Sequence, residues 1–160
     1  MSITTEPTAK WEKNEALINA AAERLAEAGL NPSLIDAMAK GVAGLQVGCH
    51  RLAAQSGWWN AKDGTRIDPN DPYVFGTKIA LVHSEVSEAL EGGRKGKADD
   101  HLPHRPSVEV ELADALIRIF DTAGAMGLDL AGAVIEKLAY NQQRADHKPE
   151  NRQAEGGKVF

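Results

Sequence analysis

From Leu34 onward, apolar side chains recur in steps of three and four: Leu34, Ile35, Met38, Val42, Leu45, Cys49 and Leu52. That step is the period of an amphipathic helix with one face set toward a core. Two more such arcs follow, first Ile79, Val82, Val86 and Leu90, then Leu112, Leu116, Ile119, Phe120 and Ala123. Punctuation residues set the ends. A helix-forming run over residues 9–28 stops at Gly29, and Asn31 then reads as an N-cap with Pro32 at the first helical position. Asp71-Pro72 or Thr77 opens the next helix, which ends at Gly92-Gly93. Ser107 caps another through about Ala123; Gly127 closes it, and Asp129 caps a last helix running to about Asp146. Between these lie "SGWWNAKDGTRIDPNDP", which reads as a long ordered loop, and the polar connector "KGKADDHLPHRP". No segment has the period of a strand, and no repeat or phosphate-cradling glycine motif is present. The expectation is an all-α chain with about four core helices in residues 33–148, an N-terminal extension helix in 1–32 and a polar tail in 149–160.

Composition narrows the chemistry more than the fold. The chain of 160 residues is long enough to bury a core as one domain. A formal charge of −5, with no basic run, argues against binding along a nucleic-acid backbone. No apolar run approaches the roughly 20 residues of a membrane span, and "MSITTEPTAKWEKNE" lacks the pattern of a secretory signal. Cys49 is the lone cysteine, which suits a reducing, cytoplasmic setting without internal disulfides.

The polar positions of two helices carry the candidate chemistry. Glu85 and Glu88 lie about 60° apart on one side of their helix at roughly 100° per residue, with Leu81 between them on the projection. Glu91 falls farther round, near the helix end, and reads as a solvated charge. On the following helix Glu111, Asp114, Arg118 and Asp121 form one stripe at offsets of three, four and three. Two consecutive antiparallel helices therefore offer the pairs Glu85/Glu88 and Glu111/Asp114 to a common groove. Either pair alone is as readily a solvated face. Four carboxylates brought together repel on the order of several kcal/mol at low effective dielectric, so they need a cation. An all-oxygen set favours a hard ion, Mg²⁺ or Mn²⁺. A di-iron bundle would want Glu-x-x-His pairs, and His83, two residues before Glu85, points elsewhere. Arg118 is expected to pair with Asp114 or Asp121.

The last helix adds cations. Lys137, Asn141 and Arg144 follow at i, i+4 and i+7, a face that can hold phosphate oxygens or simply end a solvated helix. Arg94 and Lys95, just past the earlier helix, could add phosphate contacts or lie in a solvated loop.

The segments "SEVSEALEGGRKG", "EVELADALIRIFD" and "EKLAYNQQR" together resemble the MazG-like all-α nucleoside triphosphate pyrophosphatases, over about Lys78 to Lys148. The resemblance implies that Glu85, Glu88, Glu111 and Asp114 are the metal ligands and that Lys137, Asn141 and Arg144 contact phosphate. It further implies a homodimeric or homotetrameric helical bundle that uses Mg²⁺ to hydrolyse a (deoxy)nucleoside triphosphate to the monophosphate and pyrophosphate. Glu85 is the candidate to orient or deprotonate the attacking water. Gln46 and His50 share a face just before Trp58 and Trp59, so these four are candidates for a base pocket, although a Trp pair at a helix end also serves to close a core. The competing expectation is a non-enzymatic helical module whose acidic stripe is a docking surface.

Overall fold

The computed structural model describes residues 15–156, and residues 9–14 of the expected first helix lie outside them. Regular structure among the described residues is helical throughout, with only two isolated β-bridges, so the protein is all-α. The helices are α1 (Glu15–Glu27), α2 (Pro32–Gln55), α3 (Pro72–Lys95), α4 (Ser107–Ala125), α5 (Leu130–Gln143) and the short α6 (Pro149–Gln153), with a 3₁₀ turn at Ala145–His147 before α6. No helix among the described residues is long and apolar enough to cross a membrane.

Several ends form where the punctuation residues stand. Asn31 Oδ1 accepts from the Ser33 backbone N–H at 2.8 Å at the start of α2. Asp71 Oδ1 accepts from the N–H groups of Tyr73 and Val74 at 2.8 and 3.1 Å, with Pro72 at the first turn of α3. At α3 and α4, two ends differ from expectation. The α3 helix passes through Gly92 and Gly93 to Lys95 and stops at Gly96, the residue that takes the left-handed conformation, φ 59°. Ser107 does not cap α4; Pro106 holds that position, and the Ser107 N–H goes instead to the Lys97 carbonyl at 3.0 Å. That bond accompanies the bridge between Ala98 and Pro106, which ties the connector shut at its base.

The chain divides into two compact units, one taking residues up to Ala43 and from Asp129 onward, the other Gly44–Leu128. In the first unit α1, expected as an extension, packs on α5 around Ala21, Leu25, Ile35, Ile135 and Ala139. In the second, α3 packs along α4. Their contacts run in opposite senses, Gly92 meeting Ser107, Glu85 meeting Arg118 and Lys78 meeting Asp121, so the pair is antiparallel.

The close approach of α3 and α4 is made at Gly92. A Cβ on that residue would fall 2.6 Å from Ser107 Oγ and 2.9 Å from its Cβ, and Ser107 is buried. The absence of a side chain there lets the two helices touch. One turn back from Gly92 stands Glu88, and one turn on from Ser107 stands Glu111, so this contact sets how near the two acidic pairs come.

Candidate metal centre

Within Gly44–Leu128, Glu85 and Glu88 of α3 and Glu111 of α4 each place a carboxylate oxygen within 4.8 Å of the others. Glu85 is buried, Glu111 half-buried and Glu88 exposed. Asp114, the fourth expected ligand, lines the same cleft but is outside this tight group. The cleft has a volume of about 420 Å³.

The electrostatics follow from this crowding. Burial raises the Glu111 carboxyl above its ordinary range, and the charges of Glu88, Glu85, Asp99 and Asp114 push it the same way. Asp114 is raised first by burial and then by Glu85, while Arg118 pulls it back. A carboxylate set that resists joint ionisation fits a divalent cation, which would relieve both burial and repulsion.

Arg118 does not take Asp114 or Asp121 as expected. Its Nε donates to Glu85 Oε1 at 2.6 Å. The antiparallel register explains the difference: Glu85, across the helix pair, is more deeply buried than Asp114 on Arg118's own helix and gains more from a cation.

The sequence reading missed Asp99 and His101. Both sit in the connector and line the cleft. Asp99 is buried and turns the connector over by accepting the N–H groups of His101 and Leu102 at 2.9 and 2.6 Å. The Leu102 bond, with that of His101, holds its carboxyl below the ordinary range. An Asp followed at two and three residues by its own turn is a recognisable Asx-turn signal, yet only the fold shows that it faces the cluster.

The base-pocket candidates have other partners. Trp59 is buried, its Nε1 donates to Asp121 Oδ1 at 2.6 Å, and Lys78 Nζ lies 4.0 Å from the centre of its ring. His50 Nδ1 sits 3.0 Å from the same Asp121 oxygen; since a carboxylate only accepts, that nitrogen carries the proton. Gln46 Nε2 donates to the Leu128 carbonyl at 2.7 Å. Trp58 is 68% exposed and is the one aromatic of the four whose ring is open to a ligand. Glu91 is held by Lys95 at 2.5 Å and Arg94 at 3.6 Å, both pairs at the surface.

Lys137, Asn141 and Arg144 belong to the other unit. Lys137 lies over the Tyr140 ring at 4.5 Å, and Asn141 Oδ1 is buried without a hydrogen-bond partner among the described residues. The expected continuous face is interrupted, because α5 ends at Gln143 and Arg144 is extended, φ −69° and ψ 130°. Its guanidinium turns to Asp146, with Nε to Oδ1 at 2.9 Å and a second N–H to Oδ2 at 2.6 Å. A bidentate partner two residues away outcompetes the helical position.

Comparison with known protein families, curated proteins and solved structures returns no match.

Proposed function

We propose that the cluster is a divalent-metal centre and that the chain hydrolyses a nucleoside triphosphate to the monophosphate and pyrophosphate, with Mg²⁺ as the ion and Mn²⁺ as a substitute. The observation that carries this reading is the convergence of Glu85, Glu88 and Glu111 oxygens within 4.8 Å. The donors are all oxygen, which favours a hard ion. The MazG-like pattern of the acidic pairs supports the substrate class.

When bound, such an ion supplies neutralising charge to phosphate oxygens and Lewis acidity at the reacting centre. The residues divide the remaining work. A water beside the cluster needs a carboxylate to take its proton. Glu85, the buried member of the cluster, is proposed for that role on its place in the sequence pattern. Asp114, in the same cleft, is a further ligand candidate. Lys137, Asn141 and Arg144 are proposed as phosphate contacts on their sequence pattern, and Trp58 as a base-stacking residue on its exposure.

Self-association as a homodimer or homotetramer is proposed on the apolar arcs. Val86, Leu90, Leu112 and Leu116 are each about half exposed or more, at 49, 66, 50 and 51%. The same arcs would suit the competing reading, a non-enzymatic interaction module.

The two readings separate on one assay. Each common NTP and dNTP is incubated with the protein and Mg²⁺, and pyrophosphate is measured with and without a chelator. Chelator-sensitive release from at least one substrate supports hydrolysis. No release from any, oxidised and modified nucleotides included, leaves the interaction module.

A further inference from the structure

We propose that Arg118 is a built-in counter-cation of the carboxylate cluster, which a divalent ion displaces from Glu85 as it binds. The inference rests on the metal-centre reading and adds how access to that centre is controlled.

Among the three clustered carboxylates, Glu85 alone is buried, and it alone has a cationic partner among the described residues. The Arg118 contact is a charge-assisted bond of 2.6 Å. Its two ends differ in freedom. The Glu85 side chain is 7% exposed and the Arg118 side chain 41% exposed, so the acceptor is enclosed while the donor reaches solvent. Among the described residues, Arg118 is also the one lysine or arginine that lines the cleft.

These facts decide which group yields. A buried carboxylate beside other carboxylates is costly without a positive partner, and Arg118 meets that need. An ion held by Glu85, Glu88 and Glu111 together takes an oxygen of Glu85 and brings two positive charges beside the guanidinium. Arginine cannot relieve that repulsion by losing a proton. Glu85 cannot leave its enclosed position, whereas Arg118 has solvent to move into. The ion therefore competes with Arg118 for Glu85, and apparent metal affinity is set by the difference between the two.

Two measurements on the full-length chain test this. Wild type and Arg118→Ala are titrated with Mn²⁺ by calorimetry. The Arg118 Nε–H signal of the wild type is followed by ¹⁵N NMR during a titration with diamagnetic Mg²⁺. Removing the competitor is expected to tighten Mn²⁺ binding by roughly ten- to a hundredfold, the scale of one lost charge-assisted bond. The Nε–H signal is expected to shift and exchange faster with solvent as Mg²⁺ saturates the site. The NMR readout separates displacement from the general effect of deleting a positive charge. An unchanged Nε–H signal at saturation, or equal or weaker Mn²⁺ binding by Arg118→Ala, overturns the proposal and leaves the metal centre standing, with guanidinium and ion sharing Glu85. If neither protein binds Mn²⁺ or Mg²⁺, the metal-centre reading itself fails and the displacement with it.

Discussion

At Glu111, burial and four neighbouring carboxylates act in one direction, and the group holds its proton more tightly than a free glutamate. The folded chain therefore binds more protons than the unfolded chain between the ordinary value of 4.5 and the raised one. Stability falls as pH rises through that window and stays reduced above it. In chelator, Glu111→Gln is expected to melt higher than wild type at neutral pH, with the advantage vanishing below about pH 4, where the free carboxyl is protonated; thermal melts across that range check it. Saturating Mg²⁺ should reverse the order, since it stabilises only the intact cluster. Asp121 is a contrasting residue, a buried carboxylate with three donors. Trp59→Phe keeps the ring but removes the 2.6 Å bond to it. Denaturant unfolding of that variant should show a loss of about 1.5–3 kcal/mol, the scale of one hydrogen bond to a charged acceptor, since Asp121 keeps His50 and Lys78. Little of this was legible beforehand. Trp59 in a Gly- and Asn-rich loop reads equally as a stacking platform or a core plug, and its choice depends on Asp121, 62 positions away.

At the scale of helices, the amphipathic period and the caps at Asn31 and Asp71 suffice to read the all-α class and the main boundaries. The acidic pairs were legible for the same reason, since helical spacing fixes which side chains share a face. Partner choice was not. Arg118 bonds Glu85 rather than a residue of its own stripe because the register of α3 against α4 decides it, and register comes from tertiary contact. Gly92 carries that register. A methyl group there meets Ser107 at 2.6 Å, so Gly92→Ala should destabilise the fold by about 1–3 kcal/mol through overpacking. It should also weaken Mn²⁺ binding, because Glu88 and Glu111 stand one turn from the contact. Chemical unfolding and calorimetry on the same preparation check both. The Asp99 turn escaped a reading by helical period because it lies in a connector, where no periodicity points inward.

At the scale of the whole molecule, the arcs that periodicity assigns to a core are only partly covered within one chain. Val86 and Leu90 of α3 and Leu112 and Leu116 of α4 remain about half exposed or more. Patches of that kind mark association surfaces. Light scattering is expected to give a mass at least twice the 17.2 kDa of one chain, and Leu90→Glu with Leu116→Glu should shift it toward the monomer. A monomeric wild type would rule out association through these residues. On the proposed reading, the carboxylates that α3 and α4 bring together form a metal-dependent hydrolytic centre. Its most direct test is pyrophosphate release by wild type and Glu111→Gln, side by side over the nucleotide panel with Mg²⁺, with circular dichroism as the control for folding. Release by wild type, a loss of at least roughly a hundredfold in the variant, and unchanged helical content are expected. A variant that releases pyrophosphate at the wild-type rate would contradict that reading.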